Sequence, residues 1–171
     1  KYQNINETFS NFNFSYTKLN TFYECSFKYY LEYILKLRQF DNTFDTYLGS
    51  LFHFILSKIY DDDFDFETTK NLYLKDNLFP LTLENKVFLN KTLNELKDFI
   101  IYVKSHLEET EFTEIYKELT LEVLFDDVKF TGIIDKIMKK DENVALIDYK
   151  TGSININLST IKSGLNLQLP I

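Results

Sequence analysis

Residues 145–152 have the sequence ALIDYKTG, in which three apolar residues lead into an acid, an aromatic residue, a lysine and a Thr-Gly pair. The apolar start predicts a buried strand, and the Thr-Gly pair predicts the turn that ends it. Side chains two residues apart on a strand point to the same face, so Asp148 and Lys150 are expected to point towards one place. The pair is either a salt bridge at the rim of a sheet or one half of a catalytic site.

The two segments before this strand also have the period-two pattern of strands. Apolar and polar residues alternate over residues 118–125, and a second strand is predicted over residues 128–138, with short polar turns before and after it. Strands that are joined by such short turns pair in antiparallel fashion. With residues 144–150 as the third strand, the pattern predicts a three-stranded meander.

The first half of the chain has apolar residues spaced by three and four, which predicts helices. These helices are expected over residues 16–37, 46–60 and 83–107, and a last helix is expected at about residues 160–169. The acidic run at residues 61–63 is predicted to be a solvated loop. The class is therefore α+β, with a helical amino-terminal half packed on a small, mostly antiparallel sheet and a helix at the carboxy-terminal end.

The composition predicts one folded domain. The chain has 171 residues, of which 44% are hydrophobic and 17% aromatic, and this excludes disorder. No apolar run is long enough to span a bilayer, so no membrane partner is expected. The single cysteine, Cys25, excludes an internal disulfide, which predicts a reducing, cytoplasmic location. Because the chain begins with lysine, it is expected to be a fragment of a longer protein.

The net charge of −7 argues against a protein that simply coats nucleic acid, because such proteins are normally basic. It does not argue against an enzyme that reaches phosphate through metal ions held by carboxylates. Charge alone therefore leaves both classes of function open.

Glycine placement favours the catalytic interpretation of residues 145–152. Glycine lets another group approach the backbone closely, and each of the four glycines is near a polar residue in an apolar element. Taken singly, His53 is more simply a surface histidine and Asp135 a paired acid of an edge strand. Taken together, the following pairs predict one site: Gly49 with His53, Gly132 with Asp135, Gly152 with Lys150 and Gly164 with Gln168.

The ordered set of motifs resembles the PD-(D/E)XK nuclease superfamily, and most closely its RecB/AddB-like exonuclease branch. GSLFH (residues 49–53), TGIIDKI (131–137), LIDYKTG (146–152) and LNLQLPI (165–171) follow one another in the family's order, and residues 14–38 resemble that branch's first helix. The resemblance implies a single nuclease domain over residues 1–171, with a restriction-endonuclease-like core and a helical insert at about residues 61–113.

The resemblance also implies a role for each matching residue. His53, Asp135 and Asp148 would bind Mg²⁺ or Mn²⁺, assisted by the backbone carbonyl of Tyr149. Lys150 would orient the attacking water and stabilise negative charge. Oxygen ligands with one imidazole suit these ions, which can activate water and neutralise phosphate. Gln168 would steady the site and contact DNA.

Two assignments stay open in the sequence. Glu118 matches a further acid that the family has upstream, and Glu122 is the alternative for that role. Cys25 has the position of a cysteine that binds an iron–sulfur cluster in the exonuclease branch, but the other three cysteines are absent from the 171 residues. Such a cluster would therefore require a longer chain.

These observations predict a metal-dependent DNA exonuclease domain that hydrolyses phosphodiester bonds in recombination repair or DNA end processing. DNA is the expected substrate, and a helicase subunit or domain is the expected partner. The alternative is a catalytically inactive, nuclease-like module that binds DNA or acts as a scaffold. The presence of both acids and of Lys150 favours the enzyme, because inactive versions usually lose the lysine or an acid. A purely structural domain would leave the glycine placement unexplained.

Overall fold

The computed structural model describes residues 13–37, 42–126, 128–152 and residue 159. It confirms the predicted α+β class, and no described helix is long and apolar enough to cross a membrane. The elements, in chain order, are β1 (Asn13–Phe14), α1 (Tyr16–Glu24), α2 (Ser26–Tyr29), a π-helical turn (Tyr30–Ile34), α3 (Phe44–Lys58), α4 (Phe66–Asp76), α5 (Leu83–Glu109), β2 (Glu114–Phe125), β3 (Val128–Lys140) and β4 (Asn143–Ile147).

The longer helices begin where a polar side chain can accept a hydrogen bond from the first turn. The side chain of the residue before α1, α3, α4 and α5 accepts from the backbone N–H three residues later. Such caps satisfy donors that have no partner within the helix. They fix the helix starts at positions that apolar spacing alone gives only roughly, and the capping residues are Ser15, Thr43, Asp65 and Thr82.

The prediction of one helix over residues 16–37 is wrong in its middle. Cys25 has φ −160° and ψ 104°, which is extended backbone and separates α1 from α2. The following turn is π-helical, since the N–H of Leu35 donates to the carbonyl of Tyr30 at 2.9 Å. The apolar spacing of three and four continues across Cys25, so the periodicity contains no signal for this break. The helix predicted near residues 160–169 lies outside the described residues.

The strand β3 pairs with each of the other described strands. β2 and β4 both neighbour it, as the predicted meander requires, and the antiparallel register of β4 places Lys136 opposite Ile147. The strand β1 is parallel to β3, with Asn13 opposite Lys129. It was not predicted, because two residues are too few to show a period. The second half of β2 is exposed on both faces, and not on one face as predicted.

The described residues form two compact units. The first contains residues 13–37, the described residues between 120 and 133, and residue 159, and the second contains residues 42–119 and 134–152. The prediction of a single domain over the whole chain stays a prediction.

The core of the second unit forms between α3 and α5. Leu51 and Ile55 have no exposed surface, and the helical period of three and four brings their neighbours to the same stripe. Both stripes have the spacing of three and four from which the sequence predicted these helices. The buried residues are Leu48, Leu51, Ile55, Leu56 and Ile59 from α3 and the residue after it, and Leu89, Leu93, Leu96 and Ile100 from α5.

Replacing Leu96 by alanine is expected to lower the free energy of unfolding by about 2–5 kcal/mol, because Leu96 is buried and its removal leaves a cavity. The control is Ile101→Ala on the same helix, where the side chain is 69% exposed and the change should stay within about 0.5 kcal/mol. Urea denaturation followed by circular dichroism measures both values. Equal losses in the two variants would contradict the placement of the core on this face of α5.

Candidate metal centre

The side chains of His53 and Asp135 lie next to each other in the second unit. His53 is on α3, away from the buried leucines of that helix, and its Nδ1 lies 3.3 Å from Oδ1 of Asp135. The Asp135 side chain is 11% exposed and that of His53 is 34% exposed. The structure thus brings together two of the predicted site residues, one from a helix and one from the central strand.

The other oxygen of the Asp135 carboxylate accepts a hydrogen bond from the backbone. The donor is the N–H of Tyr149, at 2.7 Å from Oδ2. Tyr149 follows β4 closely, and the register of β3 with β4 ends at the pair Lys136 and Ile147. Asp135 and Tyr149 lie just beyond that pair, which explains why they meet at the site.

Glu118 on β2 completes a group of three possible metal ligands. His53, Glu118 and Asp135 each offer one ligand atom, and these atoms lie within 4.8 Å of one another. Glu118 has φ 48°, a left-handed conformation that is rare for residues other than glycine. Conformations of this kind often turn a side chain towards a functional site. Glu122, the alternative acid, instead pairs with Lys129 at 2.8 Å.

The charges of the three groups influence one another. The hydrogen bond to Asp135 raises the pKa of His53 above its usual 6.5. Burial alone would raise the pKa of Asp135, but the hydrogen bonds from His53 and from the N–H of Tyr149 outweigh it and lower that pKa. Partial loss of hydration raises the pKa of Glu118, and the negative charge of Asp135 raises it further. The centre therefore contains two carboxylates whose mutual repulsion is only partly offset by the charge of His53.

This donor set fits a divalent cation. Carboxylate oxygens with one imidazole suit Mg²⁺ or Mn²⁺, and a cation would relieve the repulsion that raises the pKa of Glu118. The same three residues come from α3, β2 and β3, so a bound ion would join separate parts of the second unit.

Asp148 and Lys150 form a salt bridge beside this centre. Nζ of Lys150 lies 2.8 Å from Oδ2 and 3.1 Å from Oδ1 of Asp148. The positive charge of Lys150 slightly opposes the rise in the pKa of His53 and adds slightly to the lowering of the pKa of Asp135, so the pair borders the centre. Among the described residues, Asp148 is not part of the group of three ligands. The salt bridge, one of the two alternatives that the sequence presented, is therefore present, and the catalytic role of the pair stays a prediction.

The steric part of the glycine argument is wrong for the described glycines. A Cβ added at Gly132 or Gly152 would meet nothing within 4 Å, and one at Gly49 would meet Oγ1 of Thr151 at an ordinary 3.8 Å. The described glycines are therefore not required at these positions for space. Gly164 and Gln168 lie outside the described residues.

One residue near the centre received no role from the sequence. Lys136 follows Asp135 directly and is only 3% exposed. The sequence contains a sign of this burial in the apolar run GIIDKIM. A lysine directly after Asp135 on a strand points to the face opposite to that acid.

Sequence comparisons relate the chain to known proteins. A sequence model of the PD-(D/E)XK nuclease superfamily matches residues 13–171. Curated relatives named as subunits of an ATP-dependent helicase/deoxyribonuclease include those of Lactococcus lactis, 26% identical over 90% of this chain, and Carboxydothermus hydrogenoformans, 27% identical over 91%. The matches cover 16% and 17% of those two relatives, so this chain spans a small part of their length. No solved structure matches the chain.

The pairing of His53 with Asp135 predicts a pH-dependent contribution to stability in metal-free protein. Because the pKa of His53 is raised in the folded state, its contribution is full below about pH 6.5 and is lost as the pH rises through the folded pKa. The cost of His53→Gln, measured by urea denaturation with a chelator, should be larger at about pH 6 than at about pH 9. The difference should be at most about 1 kcal/mol, since the histidine is partly exposed.

His106→Gln is the matched control for the loss of a histidine, because His106 lies outside the group of three. Equal costs of His53→Gln at the two pH values would contradict a charged pair between His53 and Asp135.

Proposed function

The chain belongs to the PD-(D/E)XK nuclease superfamily, and on that premise we propose that it hydrolyses phosphodiester bonds in DNA with a divalent metal ion held by His53, Glu118 and Asp135. The observation that carries the proposal is the meeting of one imidazole and two carboxylates, with ligand atoms within 4.8 Å of one another, from three different elements. A structural role alone would not require two acids to lie so close together, because like charges repel.

Mg²⁺ or Mn²⁺ is the proposed cofactor. When bound, such an ion would supply a water of lowered pKa and would neutralise charge on the scissile phosphate. Asp148 and the carbonyl of Tyr149 keep the role of further ligands that the family resemblance implies. Gln168 keeps its proposed contact with DNA.

Lys150 is the proposed catalytic lysine. Both oxygens of Asp148 hold its Nζ, while 41% of the side chain stays exposed. The ammonium group is therefore fixed in direction but still able to meet a phosphate from solvent. A positive charge placed before the reaction stabilises the negative charge that develops in the transition state, and the carboxylate of Asp148 keeps this lysine from moving away.

The finer part of the proposal concerns the reaction and its setting. The matched relatives are named as subunits of a helicase/deoxyribonuclease, which favours an exonuclease that acts on DNA ends in recombination repair, with a helicase subunit or domain as partner, in the cytoplasm. The net charge of −7 gives this chain little attraction for phosphate, so a partner with basic surface would assist DNA binding.

The alternative is an inactive, nuclease-like module that binds DNA or acts as a scaffold. It receives less support, because Lys150, Asp148 and Asp135 are retained in one region. Inactive members of such a fold would have no need of an ammonium group held beside two acids.

Lys150→Ala is expected to reduce the rate of cleavage of linear DNA with Mn²⁺ by about 10²–10³-fold, as the loss of one fixed electrostatic group typically does. Metal binding should persist, so Mn²⁺ should still raise the melting temperature by mass action. Lys140→Ala is the matched control, because this lysine of β3 pairs with Glu111 at 2.5 Å and is expected to keep the full rate. A Lys150→Ala protein that cleaves as fast as the control would refute the assigned role.

A further inference from the structure

Lys136 is a buried lysine of the second unit. It follows Asp135 on β3, so its side chain points to the opposite face of the strand, and it is 3% exposed. Burial lowers its pKa. Lysine is almost never buried to this extent without a partner, because the desolvation of an ammonium group is costly.

The partner of Lys136 is Tyr60. Nζ of Lys136 donates a hydrogen bond to the Tyr60 hydroxyl and lies 4.5 Å from the centre of the Tyr60 ring. The hydroxyl oxygen accepts a hydrogen bond from the ammonium group, and the aromatic ring lies close to the cation. Among the residues that the structure describes, Lys136 forms no ion pair, so this tyrosine supplies its stabilisation.

Tyr60 belongs to the turn that follows α3. The next residue of that turn, Asp61, likewise accepts a hydrogen bond from a lysine on a strand. The carboxylate of Asp61 accepts a hydrogen bond from Nζ of Lys117 on β2. Lys117 directly precedes Glu118, as Lys136 directly follows Asp135. Two consecutive residues after α3 thus bind the two strands that carry the acids of the metal centre.

We infer that Tyr60 and Lys136 are positioning residues that hold α3 at the place on β3 where His53 meets Asp135, and that they thereby set the affinity of the centre for a divalent ion. His53 and Tyr60 are about two helical turns apart, and Asp135 and Lys136 share a peptide bond. The contact between Tyr60 and Lys136 therefore limits how far His53 and Asp135 can move relative to each other. Asp61 and Lys117 extend the same constraint to Glu118.

The inference rests on the proposed function, because positioning matters only if the centre binds metal. It differs from that function in concerning residues that touch neither the ion nor the substrate. Groups that hydrogen-bond directly to metal ligands commonly change metal affinity by about 10–100-fold when they are removed. Tyr60 and Lys136 act on the ligands only through the backbone, so the lower end of this range, about tenfold, is expected.

The test is a calorimetric titration of the whole chain with Mn²⁺ alone. Tyr60→Phe keeps the ring and removes the hydroxyl, and Lys136→Met keeps the length of the side chain and removes the charge. Both are expected to bind Mn²⁺ about tenfold more weakly than the unaltered protein. Lys136→Arg keeps a charged donor and is expected to bind more tightly than Lys136→Met.

Leu93→Ala is the control for general loss of stability, because Leu93 is buried in the core and lies outside the group of three ligands. It should lower the melting temperature and leave the Mn²⁺ dissociation constant unchanged. Tyr60→Phe with the affinity of the unaltered protein, or Leu93→Ala with an equal loss of affinity, would overturn the positioning role. An unaltered protein that binds no Mn²⁺ would overturn the proposed function itself.

Discussion

The carboxylate of Asp135 is the group at which three segments of the second unit meet. One of its oxygens lies 3.3 Å from Nδ1 of His53 on α3, and the other accepts the N–H of Tyr149, after β4, at 2.7 Å. Glu118 reaches the same place from β2. The Asp135 side chain is only 11% exposed, so its negative charge would destabilise the fold without these partners. The charge is therefore tolerated only when α3, β2, β3 and the end of β4 are placed together.

The core supplies the rigidity that this arrangement needs. Leu51 and Ile55 hold α3 against α5 with no surface exposed to solvent, and His53 lies between them in sequence on a different face. Packing thus fixes the helix, and polar contacts fix where it lies along β3. Burial and, after it, the negative charge of Asp135 raise the pKa of Glu118, so the two neighbouring carboxylates are a cost to the metal-free fold that a cation would reduce. Groups perturbed in this manner cluster at functional sites.

The sequence predicted those parts of the molecule that follow from spacing or from polar residues in apolar runs. The stripes of α3 and α5 and the position of Asp135 within GIIDKIM belong to this class. Glu118 could not be separated from Glu122, because its approach depends on one left-handed φ. The break at Cys25 left the apolar spacing intact. Lys136 and Tyr60 are far apart in the sequence, so their bond could not be read from any local pattern.

The central claim is that Glu118, and not Glu122, joins His53 and Asp135 in binding one divalent ion. The most direct measurement is the dissociation constant of Mn²⁺ for Glu118→Gln and Glu122→Gln, which remove the same charge at two positions of one strand. The account predicts one ion per chain for the unaltered protein, an affinity at least about tenfold lower for Glu118→Gln, and no change for Glu122→Gln. Unchanged binding by Glu118→Gln, or a loss of binding in Glu122→Gln alone, would contradict it.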